Sequence, residues 1–506
     1  MEKTTTSRSA YEWLLNHYRT AAHLESVKSL LHWDQSTFLP EEGHPYRSEQ
    51  LGTLAKLLHG LRTDPVAGEK LTEAESAGTG EDPYGVEAVN VREWRRSYDR
   101  ATKIPVRLAV ELARAASAGE MAWEKAKPAN DWDGFRPYLE RIVALRREEA
   151  ECLGIGHEPY DALLDEYEPG ETAQAIEPVF SRLREALAAL LDRIGNSPRR
   201  PQTGVLHRHF PRRDQMFFGT EVISRLGYRL QAGHVGVSAH PFSVGIAPGD
   251  ARITTRIDET SFPVALFSTI HEAGHALYEQ GLPAAHWGTP MGQSLSHGMH
   301  ESQSRLWENM VGRSLSFWEH FYPAAAKRFT ALQNVPLETF HFAINAVRPS
   351  LIRAEADEVT YNLHIMMRFE LEIALLRKGI EVADLPGLWN EKTKETLGLT
   401  VPDHALGVMQ DVHWSSGSFG YFPTYTLGNM YAAQFYSRAK EDVPGLESLF
   451  ARGEFAPFLG WLREKIHAQG KRYSPRQLLL QATSEDLNPD HLIRYLNEKF
   501  GTLYGF

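Results

Sequence analysis

The run FPVALFSTIHEAGHALYEQ, residues 262–280, reads as one helix. Ser261 is a suitable N-cap, and Pro263 falls in the first turn, where a missing N–H costs little. Working outward, apolar residues three and four apart recur along most of the chain. Residues 135–153 and 360–377, the latter stopped by Gly379, are clear cases, and the spacing predicts a mainly α protein. The exception lies between Gly204 and Asp258. There VLHRHF, HVGVSAHPFSVGI and RITTRI carry β-branched residues between Gly and Pro punctuation, which predicts a small β-ribbon. The breaks GTGEDP (78–83) and GNSPRRP (195–201) are too short for flexible linkers and read as loops between helices. With no internal repeat and no low-complexity segment, residues 1–506 read as a single large helical domain.

Within the 262–280 helix, His271 and His275 stand four residues apart, so both imidazoles leave one face about a turn apart and can reach one ion. Glu272 lies about 100° round the helix from His271, where its carboxylate can meet a metal-bound water as general base without becoming a ligand. Gly274 removes a side chain beside these groups at roughly 1 kcal/mol in helix propensity, which predicts the close approach of another element. The stretch ESQSRLWENMVGRS, beginning at Glu301, reads as a second helix that can lie across the first and deliver a third ligand. His297, His300 and Glu308 compete with Glu301 for that role. Two histidines and one carboxylate leave a fourth tetrahedral position for water, whereas a structural zinc site fills all four with Cys or His. A chain with one cysteine, Cys152, is poorly equipped for a structural site, so the pattern points to a zinc-type metallopeptidase.

Composition narrows the partners. A formal charge of -11 at pH 7 gives no sequence-wide attraction to phosphate backbones or anionic lipid, so nucleic acid is not an expected partner. The longest segment without Lys, Arg, Asp or Glu, residues 412–437, is rich in Ser, Gly, Thr and Tyr and too polar to span a bilayer. The lone cysteine permits no internal disulfide, and the segment MEKTTTSRSAYEW lacks the apolar core of a secretory signal. A cytoplasmic location is expected.

Six motifs follow one another along nearly the whole chain: HPF (240–242), D-x-R-x-T (250–254), HEAGH (271–275), HESQ (300–303), I-R-x-x-A-D (352–357) and GVMQDVHW (407–414). Together they resemble the thermostable Taq-type metallocarboxypeptidases, a family similar to the larger group of helical H-E-x-x-H peptidases. The resemblance implies that His271, His275 and Glu301 are the metal ligands and that Glu272 is the catalytic base and acid. It implies a homodimeric carboxypeptidase acting on peptides with a free C-terminus, built as a large helical bilobed clamp over a deep active-site groove. Because the family also uses metals other than zinc, the cofactor implied is one divalent ion per chain, zinc first, with cobalt or another divalent ion as alternatives.

A carboxypeptidase must recognise a free α-carboxylate, which a sheltered guanidinium holds bidentately. Arg353 is the first candidate, with Arg252 and Arg348 as alternatives. The competing reading of Arg353 is an ion-pair network with Glu355, Asp357 and Glu358. The segment HWSSGSFGYFPTYTLGN, from His413, combines hydroxyls, aromatics and glycines suited to lining a peptide groove, or equally to an aromatic core loop. His413 and Tyr425, with Tyr421 between them, are arranged as in related helical zinc peptidases, where a tyrosine and a histidine stabilise the oxyanion. His240 either contacts substrate or orders a strand end, while Trp33 and Asp34 read as packing and capping residues. In the expected reaction Glu272 takes a proton from a metal-activated water, hydroxide attacks a carbonyl polarised by the metal and Tyr425, and Glu272 then protonates the leaving amine. An endo- or dipeptidyl peptidase with the same chemistry is the alternative; a catalytically silent peptide-binding scaffold is argued against by the intact Glu272.

Overall fold

The computed structural model describes residues 2–506, with side chains from residue 9 onward; the start of MEKTTTSRSAYEW therefore lies outside the described side chains. Three helices read from the sequence form at Trp132–Leu153, Phe262–Glu279 and Thr360–Leu376. Their ends differ in detail from expectation. Ser261 occupies the N-cap of the second helix but makes no side-chain cap bond. At the end of the third, Lys378 rather than Gly379 adopts the left-handed conformation (φ 59°), and the Gly379 N–H donates to Ala374 O at 2.9 Å. That six-residue closure satisfies a terminal carbonyl, so the stop is a backbone motif in which the glycine stands one place further on.

The β region is smaller than the sequence predicts and of different topology. β1 (Val235–Val237), β2 (Ser243–Ala247) and β3 (Asp250–Thr255) form one sheet in the order β1-β3-β2. β2 pairs antiparallel with β3 through a turn at Gly249 (φ 86°), while β1 runs parallel to β3, so the element is a mixed sheet and not a simple ribbon. VLHRHF forms no strand: Thr203–Leu206 is a 3₁₀ turn whose Val205 and Leu206 are buried, and a helix at Arg212–Leu226 follows Pro211. Burial among helices overrides the β preference of these branched residues.

β3 lies against the HEAGH helix, where Thr255 Oγ1 donates to Ala265 O at 3.0 Å. That helix belongs to the large apolar core, to which it contributes Ile270, Ala273, Ala276 and Leu277. A smaller cluster of Ala10, Leu14, Leu71, Ala74, Val91 and Trp94 joins three N-terminal helices, Glu2–Thr37, Pro65–Ala77 and Val86–Lys103. Between the first of these and β2 opens a cavity of about 650 Å³, walled by Glu25 and Ser29 on one side and by Gly245, Ala247 and Glu279 on the other. Trp33 packs against Phe242, and the Asp34 carboxylate binds Arg47 Nη2 at 2.6 Å. Residues 78–85 and 197–202 are loops, as expected except that Gly195 and Asn196 still belong to the preceding helix, Ala173–Asn196. Among the described residues no helix is long and apolar enough to cross a membrane.

Candidate metal centre and groove

Two glycines bring the metal-centre helices together. The helix His297–Arg305 crosses the HEAGH helix at Gly274, where a Cβ would stand 2.6 Å from Ser304 Cα and 2.7 Å from Gln303 O. The helix Pro423–Asp442 also packs against it, and a Cβ at Gly428 would lie 2.8 Å from both Cβ and Cγ of Glu301. The start of the Glu301 helix is fixed by Glu168, which accepts from Gly298 N (2.9 Å), Tyr431 Oη (3.0 Å) and Ser296 Oγ (3.1 Å). Burial pushes the Glu168 carboxyl up to about 8 despite these donors.

The result is a three-donor cluster. Glu301 Oε2 lies 3.5 Å from His275 Nε2 and 3.8 Å from His271 Nε2, and one donor atom from each residue falls within 4.8 Å of the others. Tetrahedral donors with bonds of about 2.1 Å stand about 3.4 Å from one another, so the spacing fits one ion. The protonation states of Glu301 and His275 fit as well, whereas at His271 the opposition of burial is outweighed by Glu301, Glu308 and Glu272, which raise the imidazole. Burial alone would raise the Glu301 carboxyl, but Arg305, His271 and His275 outweigh it and hold the group far below the usual carboxylate range. Burial lowers His275 to about 3, which leaves a neutral imidazole with a lone pair to give.

The competing ligands stand behind the cluster. His271 Nδ1 bonds Glu308 Oε2 at 2.9 Å, and Glu308 is held in turn by Arg305 (3.3 Å) and Arg313 (3.4 Å). His300 Nδ1 meets His275 Nδ1 at 2.6 Å, and its Nε2 meets Glu279 Oε1 at 2.9 Å. His297 turns away to pack on Tyr167 and Tyr421. Beyond Arg305 the helix widens into a π turn over Leu306–Val311, with Gly312 N donating to Trp307 O at 2.8 Å, a form that recurs at functional sites. Glu272 is buried beside the cluster. Burial raises its carboxyl to about 7, with His271 opposing the rise and Glu301 and Glu308 adding to it.

A second group faces the first. Tyr425 sits one turn before Gly428 and so on the face that meets Glu301; its hydroxyl is 3.1 Å from His413 Nε2. Burial lowers His413 to about 4, with Asp411 opposing the shift and Arg353 and Arg368 adding to it. Tyr421 rests on the rings of His413, Tyr425 and His297. Arg353 lies 5.1 Å from the Tyr425 ring centroid and donates through Nη1 to Tyr361 Oη at 3.1 Å. Arg305, bound to Glu301 at 2.7 Å, stacks on that same Tyr361 ring at 4.2 Å and joins the two groups. The acidic partner of Arg353 is Asp411, at 2.8 Å from both Nε and Nη2. Its sequence neighbours are engaged elsewhere: Asp357 caps the helix at Thr360, and Glu358 binds Lys499. Arg252 binds Asp250 at 2.7 and 2.8 Å beside Trp33, and His240 is exposed in the bend between β1 and β2; their described contacts do not reach the cluster.

Residues 13–500 match the family described as carboxypeptidase Taq (M32) metallopeptidase. The chain belongs to that family. It is 53% identical to thermostable carboxypeptidase 1 of Thermus thermophilus, over 99% of this chain and 100% of the relative. It is 38% identical to thermostable carboxypeptidase 1 of Pyrococcus furiosus, over 96% and 97% of the two chains. The crystal structure of an M32 carboxypeptidase from Deinococcus radiodurans superposes with a TM-score of 0.95 at 40% identity, covering 98% of this chain and 100% of the other.

As an M32 carboxypeptidase, the protein is a metal-dependent hydrolase that removes C-terminal amino acids, and the endo- or dipeptidyl alternative is not favoured. Its family implies a divalent metal, and His271, His275 and Glu301 are the group able to hold one among the described residues. Sequence reasoning passed over Asp411, although it lies inside GVMQDVHW, and also Tyr361, Arg305 and Glu279. One signal was available: Glu301, Arg305 and Glu308 recur at i, i+4 and i+7, the spacing of a single helix face.

Proposed function

We propose that this carboxypeptidase releases amino acids from free peptide C-termini with His271, His275 and Glu301 holding one divalent ion, zinc first and cobalt or another divalent ion as substitutes. The observation that carries this is the convergence of those three donors, with the buried Glu272 beside them and Arg353 across Tyr361 and Tyr425. A bound ion supplies Lewis acidity, lowering the pKa of a water and polarising the scissile carbonyl. Glu272, buried beside the donors, takes the proton of the attacking water and passes it to the leaving amine. Burial keeps Tyr425 protonated, so its hydroxyl donates to the developing oxyanion while His413 Nε2–H donates to the phenol oxygen.

Asp411 takes Nε and one N–H of Nη2 of Arg353, and Tyr361 takes one N–H of Nη1, which leaves one N–H on each Nη to grip the α-carboxylate. Tyr421, resting on the rings of His413 and Tyr425, lines the adjoining substrate site. A single-domain homodimer working in the cytoplasm completes the proposal, supported by the family resemblance and by the lone cysteine.

Mass spectrometry of a mixed peptide pool, half of it amidated at the C-terminus, tests the reading. Ladders shortened from free C-termini, with amidated peptides spared, support it; internal cuts refute it. Arg353→Ala should depress kcat/KM for free-acid peptides by about 30- to 1,000-fold, the loss of a buried charge-assisted contact, and scarcely alter amidated ones. Equal losses on both would move the carboxylate contact to Arg252 or Arg348.

A further inference from the structure

We propose that His300 and Glu279 form a positioning relay behind His275, one that sets which of its nitrogens carries the proton and so which faces the ion. The inference rests on the reading of His271, His275 and Glu301 as ligands.

With His275 a ligand through Nε2, the geometry leaves one proton assignment. Nδ1 of His275 and Nδ1 of His300 are 2.6 Å apart, so one nitrogen donates and the other accepts. His275 Nε2 faces Glu301 Oε2 at 3.5 Å and must keep its lone pair to act as a ligand, which puts the His275 proton on Nδ1. His300 Nδ1 is then the acceptor, its own proton sits on Nε2, and that N–H donates to Glu279 Oε1 at 2.9 Å. Every donor meets an acceptor in one direction, from His275 through His300 to a carboxylate.

The relay is held from several sides. The His300 ring packs against those of His275 (4.7 Å) and Tyr278 (5.1 Å), and Glu279 lies four residues beyond His275 on the same helix. β2 comes so close that a Cβ at Gly245 would overlap the Glu279 carboxylate; the absence of a side chain there makes its seat. The two histidine ligands are therefore supported unequally. His271 rests directly on Glu308, which two arginines hold, whereas His275 reaches its carboxylate through an imidazole, and that carboxylate borders the 650 Å³ cavity. An outer partner of this kind orients a ligand histidine and strengthens its donation.

Zinc competition against a fluorescent chelator, with histidine-selective ¹⁵N NMR of the metal-free protein, tests the relay. His300→Leu should weaken zinc binding about 10- to 100-fold, the usual loss when such a partner goes. His300→Asn, which restores an acceptor near the Nδ1 position, should recover most of it. The His275 nitrogen shifts should report Nδ1–H in the native protein and a mixture of tautomers in His300→Leu, and the visible spectrum of the cobalt-loaded protein should change. Native zinc affinity together with an unchanged His275 tautomer in His300→Leu would overturn the relay. If that variant does not fold, Glu279→Leu decides in the same way. His271→Ala and Glu301→Ala separate the two readings: tight zinc binding in both means the ligand assignment itself has failed, whereas loss in both with retention in His300→Leu removes only the relay.

Discussion

Gly274→Ala adds one methyl group where two helices cross, and the structure gives the size of its effect. The new Cβ would stand 2.6 Å from Ser304 Cα, 2.7 Å from Gln303 O and 3.0 Å from Ser304 N, all backbone atoms, whereas ordinary contact begins near 3.4 Å. The helices must part by roughly 1 Å, and no flexible side chain can yield instead. Gly428, packed close against Glu301, further restricts where the Glu301 helix can move. Alanine gains about 1 kcal/mol in helix propensity, and overpacking costs about 1–3 kcal/mol. The metal-free variant should therefore lose up to about 2 kcal/mol. The larger effect falls on the metal: ligand bonds tolerate only about 0.2 Å, so a displaced Glu301 should weaken zinc binding at least about tenfold. Urea unfolding of the metal-free protein measures the first effect and chelator competition the second. Native zinc affinity in a variant stabilised by about 1 kcal/mol would refute the argument, since the crossing would then have room to spare.

Glu272→Gln should keep its metal and lose most turnover, about 100-fold or more in kcat; activity equal to the native enzyme would remove its role as base. Tyr425→Phe should lower kcat by roughly 10- to 1,000-fold with little change in KM, and an unchanged kcat would return Tyr425 to packing alone. The buried Glu372 accepts from Trp414, Tyr160 and Gly420, yet burial raises its carboxyl from 4.5 to about 7. A raised folded value means that its contribution to stability is full below pH 4.5 and is lost as the pH climbs through 7. Measured on metal-free protein, Glu372→Gln should gain about 2–3 kcal/mol relative to the native chain between pH 5 and pH 8. A difference that does not change with pH would show that this carboxyl titrates normally.

The metal cluster was legible in the sequence because its logic is local. His271 and His275 share a helix face by the pitch of the helix, and Gly274 announced a close crossing that the structure places at Ser304. The surroundings of Arg353 were not legible. Charge proximity in the sequence suggested Glu355, Asp357 and Glu358, but the side chain that binds it, Asp411, lies 58 positions away, and nothing local marks that pairing. The β region misled for a related reason: VLHRHF has the residues of a strand, and burial against helices made it a turn.

Residue type and helical period thus determined, from the sequence alone, a mainly α chain with two histidines and a glutamate set to work on one ion. Only the tertiary structure decided which of Glu301, His300, His297 and Glu308 stands within reach of one ion together with both imidazoles. Their spacing permits more than one of them, and the choice depends on where the second helix crosses the first. Close contacts at Gly274 and Gly428 fix that crossing, with Glu301 toward the two imidazoles and His300 and Glu308 behind them. Such a crossing is set by steric contact between segments far apart in the chain, and periodicity within one segment carries no information about it.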